Sequence, residues 1–266
     1  MKGTITLLLS AFIFVFLSIP AAKAVFAKEG RNVLIIQDEL PQMKILAEFL
    51  RHTGKLNVSI VHSDSLPADL NPYQAVIVFI HRKLSEQVEV PLIEYTKNGG
   101  RFIGLHHTIS SQKRKNKFFF NFLGLLLFKA SADSGGYAYR EGITLELVNL
   151  NPKHYITSHN VKWDGKTLYR PSDFPSVEKQ YPTIQLHDTE AYLNHTFTDG
   201  REKTVLCGIK FYDAKSGKWY MQDRGAWFKK YGKGFIFYFM PGHRPSDFEN
   251  RNMAQMVLNA ILWQGQ

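Results

Sequence analysis

The sequence predicts an α/β domain built on a mostly parallel central sheet with helices on both faces. Two observations carry this. The segments NVLIIQ (32–37), AVIVFI (75–80) and FIFYFM (235–240) are short apolar runs without polar alternation, as expected of strands buried on both faces. Between the first of them and residue 105, such runs alternate with segments whose apolar residues fall at helical spacing, the pattern of a parallel sheet with crossover helices.

In order along the chain, 32–37 is the first strand. Residues 40–50 form a helix through Met43, Ile45, Leu46, Phe49 and Leu50, with Gly54 as its stop. Strands follow at 58–61 and 75–80. A second helix over 84–95 is closed by Asn98-Gly99-Gly100, and a fourth strand covers 102–105. Residues 143–148 alternate, 190–193 and 204–212 are strand-like, 235–240 is a buried strand, and 248–263 is a closing helix. The stretch 149–187, rich in Pro, Asp, Ser and His, reads as a long irregular and functional loop. No linker divides residues 30–265, so one domain is expected.

The first 24 residues read as a secretory signal peptide. Lys2 is followed by an apolar run from Ile5 to Ile19, then Pro20 and the small-residue site Ala22-Lys23-Ala24. Cleavage after Ala27 is a second option and an uncleaved anchor a third, although the run is short for ~30 Å of hydrocarbon. The expected location is secreted or periplasmic, with no stable membrane insertion after cleavage. Cys207 is the only cysteine, so no intramolecular disulfide forms, and its place in TVLCGIKFY reads as a small buried apolar residue. The net charge is +10. Part of it lies in Lys113-Arg114-Lys115 with Lys117, read as a solvated loop face. No nucleic-acid-binding signature is present.

Ligands of open α/β sheets bind at the carboxyl ends of strands. His106 and His107 end the strand in GGRFIGLHHTIS (99–110). A regular strand end would offer one of them to a pocket and a sharp turn both. His243 and Arg244 follow the buried run 235–240 and so belong to the same rim as His106. His187-Asp188-Thr189-Glu190 brings two carboxylates and an imidazole together, suited to a cation or to acid–base work. Asn151-Pro152-Lys153-His154, with His159, is loop chemistry. GxGxxG, P-loop, HExxH, CxxC and GxSxG motifs are all absent.

In this order, GGRFIGLHHTIS, NPKHYIT (151–157), HDTEAYLN (187–194) and the stretch 226–263 resemble the ThuA-like (trehalose-utilisation) family, a relative of class I glutamine amidotransferases. The resemblance covers 32–263. It implies a flavodoxin-like sheet, with His106 where the amidotransferases carry their cysteine nucleophile, and hence no glutaminase reaction. The sequence departs from the family at Gln37-Asp38-Glu39, where members often have a histidine, at Tyr155, and over 113–139.

The resemblance implies first an enzyme of glycoside or disaccharide utilisation. His106, His107, Asp188, Glu190 and His243 are its candidate catalytic residues, and His154 and Arg244 its candidate substrate-binding residues. A divalent metal on His106, His243 and Glu190 is one option. Metal-free proton transfer beside the carbonyl of a keto-sugar is the other. The alternatives are a non-catalytic carbohydrate-binding module using Trp163, Tyr169, Tyr192, Trp219 and Trp227, and a metal-dependent hydrolase of another ester or amide. The expected partner is a small carbohydrate or glycoside, and the chain is a monomer or homodimer.

Overall fold

The computed structural model describes residues 31–172 and 177–265. The expected signal peptide, 1–24, lies outside the described residues. The first half runs β1 (Asn32–Gln37), α1 (Leu40–His52), β2 (Asn57–His62), β3 (Ala75–Phe79), α2 (Glu86–Lys97) and β4 (Arg101–Leu105). The middle holds α3 (Phe119–Leu123), β5 (Leu125–Leu127), β6 (Ala138–Asn149), α4 (Tyr155–Ser158), β7 (Gly165–Tyr169) and β8 (Lys179–Leu193). The remainder is β9 (His195–Phe197), β10 (Lys203–Asp213), β11 (Lys218–Tyr231), β12 (Gly234–Phe239), α5 (Pro245–Glu249) and α6 (Arg251–Leu262).

Ten strands form one sheet in the order β2-β1-β3-β4-β12-β11-β10-β6-β8-β7. The first five are mutually parallel, in the order of a flavodoxin-like sheet. The α1 crossover from β1 to β2 runs one way along the sheet and the α2 crossover from β3 to β4 the other. Right-handed crossovers therefore place α1 and α2 on opposite faces. The strand order reverses between β1 and β3, the place where sheets of this order bind ligands at the carboxyl ends of their strands.

The other five strands are antiparallel, so the sheet is mixed rather than mostly parallel. The physical reason is the connections. β10–β11 and β11–β12 are joined by short turns without a helix, and such turns make neighbours antiparallel. The stretch 149–187 is likewise less irregular than expected, since it contains α4, β7 and half of β8. β11 escapes an apolar-pattern search because it buries charge. Asp223 accepts from Tyr169 Oη at 2.7 Å, and Lys229 Nζ meets Asp199 at 2.7 Å.

The basic run also differs from a solvated face. Lys115 and Lys117 are exposed, but Lys113 is fully buried. Its ammonium donates to the carbonyls of Ile80 and Arg82 at 2.6 Å each and His81 at 3.1 Å, tying the loop after β3 to the one after β4. Burial pushes this amino group down, to about 7. Three close carbonyls call for the protonated form, which has three N–H donors.

The β6–β8 ladder bends. Its register shifts on both sides of Ile143, with Gly142 at φ +70° and Asp188 at φ +50°. Beyond the bend Glu141 pairs with Glu190, and this arm reaches the carboxyl rim of the parallel half. There Thr189 Oγ1 donates to Asp247 Oδ2 at 2.7 Å, and the Tyr192 ring stacks on His106 at 4.6 Å.

Candidate active site

β4 ends in a single 3-10 turn, residues 106–109, entered through His106 at φ +36°. This sharp turn presents both histidines inward. Thr108 holds it by donating to Val78 O at 2.6 Å and accepting from Leu105 N at 3.1 Å. His106 Nδ1 lies 2.6 Å from Met240 O. A carbonyl only accepts, so Nδ1 carries the proton and Nε2 faces the other way.

After β12 the chain turns through Gly242 at φ +132°, where a Cβ would lie 2.8 Å from the Phe248 ring. Asp247 fixes this turn. Its Oδ2 accepts from Gly242 N at 3.1 Å and Arg244 N at 3.3 Å, flanking His243, as well as from Thr189 beside Glu190.

The result is a convergence on one carboxylate oxygen. Glu190 Oε2 is 2.8 Å from His106 Nε2, 3.3 Å from His243 Nδ1 and 4.0 Å from His107 Nε2. The four donor atoms lie within 4.8 Å of one another. His106, His107 and Glu190 are buried, and His243 is partly open. Burial alone would raise the Glu190 carboxyl, but its contacts with His106 and His243 outweigh burial and hold it below the usual carboxylate range. The Glu190 contact raises the His243 pKa against partial burial. Burial, with His106 and His81 nearby, pushes His107 down to about 2, so that ring is neutral.

A second group surrounds the first. His107 Nδ1 is 3.6 Å from Glu39 Oε2, His81 Nδ1 is 3.3 Å from Glu39 Oε1, and the His81 ring stacks on His107 at 4.4 Å. His243 Nε2 is 3.1 Å from Glu141 Oε1. Glu39, His81, Glu141 and Asp247 were not among the candidates from sequence. His81 had a readable signal, since it follows the buried run 75–80 as His243 follows 235–240.

The other candidates stand further out. Asp188 exposes its carboxylate, and its carbonyl accepts from Arg244 Nε at 3.2 Å, so this pair braces the arm from outside. His154 is elsewhere. It caps α4 by accepting from Ile156 N at 3.2 Å and packs on Phe228 and Trp263. Cys207 is fully buried in β10, and burial pushes its thiol up.

A groove of about 1270 Å³ runs along the antiparallel half to Glu141. Tyr139, Tyr212 and Trp219 line it, exposed by 59%, 48% and 59%. Of the five aromatics expected to contact a sugar, Trp219 stands open here, whereas Tyr169, Tyr192 and Trp227 are buried and Trp163 Nε1 is bonded to Thr157 O.

A family model described as trehalose utilisation (ThuA) matches residues 24–264. Among solved structures, the chain is similar to a ThuA-like protein from Bacteroides uniformis ATCC 8492, with TM-score 0.58 and 16% identity, covering 91% of this chain and 94% of that one. It is similar to a ThuA-like protein from Parabacteroides merdae ATCC 43184, with TM-score 0.59 and 15% identity over 89% and 90%. It is also similar to a cytoplasmic protein from Salmonella typhimurium LT2, with TM-score 0.55 and 14% identity over 88% and 100%. The comparison with curated proteins gives no match.

Proposed function

The chain belongs to the trehalose-utilisation (ThuA) family, and from that premise we propose that it is a carbohydrate-active enzyme, secreted or periplasmic, acting on a small glycoside or disaccharide. The observation that carries the reading is a groove that reaches Glu141, which in turn touches His243 at the edge of the imidazole–carboxylate cluster. Its exposed Tyr139, Tyr212 and Trp219 offer apolar ring faces to the C–H faces of a sugar, and Glu141 sits both in the groove wall and on His243. Location outside the cytoplasm rests on the leader expected over residues 1–24, and N-terminal sequencing of the exported protein tests it.

Glu141 is the proton-transfer group of this reading. It reaches bound substrate from the groove wall, while His243, held by Glu190, fixes its orientation. A thioester route has no nucleophile, because the single thiol is buried in β10.

Initial rates on a panel of disaccharides, glycosides and their keto derivatives test the proposal. A hit should lose about a hundredfold or more in kcat in Glu141→Gln. Trp219→Ala should raise KM about tenfold and leave kcat nearly unchanged. Saturable sugar binding without turnover of any panel member, retained in Glu141→Gln, would point instead to a binding module.

A further inference from the structure

The three histidines of the cluster share a two-sided arrangement. One ring nitrogen of each faces Glu190 Oε2: Nε2 of His106, Nε2 of His107 and Nδ1 of His243. The other ring nitrogen of each faces an acceptor outside the cluster. His106 Nδ1 meets Met240 O at 2.6 Å and His243 Nε2 meets Glu141 at 3.1 Å, while His107 Nδ1 stands 3.6 Å from Glu39, too far for a hydrogen bond. A cation that displaces the protons these inner nitrogens share with Glu190 would meet three nitrogens aimed at one place, beside that carboxylate. Metal-binding histidines are held in this way, with the outer N–H on a carbonyl or carboxylate fixing the tautomer.

The spacing fits as well. With bonds of about 2.0–2.2 Å, ligand atoms around a tetrahedral ion lie about 3.4 Å apart. The three inner nitrogens stand 2.8, 3.3 and 4.0 Å from Glu190 Oε2. His243 Nδ1 is buried without a well-formed hydrogen bond, and its one polar neighbour is that oxygen at 3.3 Å.

We propose that His106, His107, His243 and Glu190 form a mononuclear site for a divalent first-row transition ion, with zinc foremost, that Met240 O and Glu141 are its outer acceptors, and that the Glu39 carboxylate stands behind His107. Three imidazoles and one carboxylate suit such a cation and not magnesium or calcium, which take oxygen donors. His81 is a positioning residue, stacked on His107 and bonded to Glu39. The inference goes beyond the carbohydrate reading and stands without it.

The test is titration of the chelator-stripped mature protein with zinc, manganese or cobalt(II) chloride, followed by calorimetry and, for cobalt, by its visible spectrum. One ion should bind per chain, and cobalt should give the bands of a low-symmetry nitrogen-rich site. His243→Ala and Glu190→Gln should each weaken binding by about a hundredfold or more, and Glu39→Gln by about ten- to a hundredfold without touching a ligand. His243 lies in a partly open loop, so its alanine variant should keep the wild-type circular dichroism. Zinc should raise the Tm of wild type and not of that variant. Absence of saturable binding in wild type would overturn the proposal, as would binding of unchanged strength in a folded His243→Ala.

Discussion

In the parallel half of the sheet, His106, His107 and His243 leave from strand ends, where a turn aims each side chain. In the antiparallel half, Glu141 and Glu190 sit within long strands, opposite one another in the ladder. There only the bend through Gly142 and Asp188 brings them to the rim. One half supplies imidazoles by topology and the other supplies carboxylates by local distortion. The first route is common to open α/β sheets. The second depends on a few residues that permit a bulge.

The comparison breaks most severely at Asp247, the staple between the halves. Asp247→Ala leaves Gly242 N–H, Arg244 N–H and the Thr189 hydroxyl without their acceptor in a buried place. It should cost about 3 kcal/mol in urea denaturation and abolish turnover together with zinc binding. A variant losing less than about 1 kcal/mol would show that the halves dock without it.

Gly142→Val probes the bend itself. No atom stands within 4 Å of an added Cβ, so the cost is confined to the backbone at φ +70°. About 1–2 kcal/mol of stability should be lost. Turnover should fall further than stability explains, because the arm carrying Glu141 and Glu190 is re-aimed. Turnover equal to wild type would mean that the bend does not aim them.

His154→Ala should cost about 1 kcal/mol, the value of a helix cap, with turnover and zinc affinity unchanged. Loss of either activity without loss of stability would return His154 to the site.

The smallest effect is a pH dependence in metal-free protein. The folded Glu190 carboxyl lies below its unfolded value of about 4.3, so the unfolded chain takes the proton first as pH falls. The stability that ionised Glu190 contributes is complete above that value and lost below it. The gap in urea midpoint between wild type and Glu190→Gln should therefore narrow as pH drops from about 5 to 3. A constant gap would mean that its contacts with His106 and His243 do not stabilise the charged form.

The same division decides what could be read from sequence. β1, β3 and β12 are legible because strands buried on both faces are written in apolar residues alone, and His81 after β3 and His243 after β12 mark the rim. β11 was hidden by Asp223 and Lys229, whose partners come from distant segments. Glu190 was legible as chemistry within a polar cluster. Glu141 was not, because it precedes the alternating run 143–148 and resembles any solvated position until its neighbour across the ladder is known. His107 shows the limit from the other side. Strand alternation points it away from His106, and only the left-handed backbone at His106 brings both into one cluster.

The cluster is also discontinuous in the chain. His106 and Glu190 are 84 residues apart, and His106 and Met240 are 134 apart. Closing loops of that length is slow, and contacts of high sequence separation tend to form late. A chain growing from its N-terminus carries His106 and His107 from early on but lacks Glu190, Met240 and His243 until near its end. The site should thus be among the last parts of the molecule to assemble, and for most of its synthesis the polypeptide has nothing with which to hold an ion or a sugar.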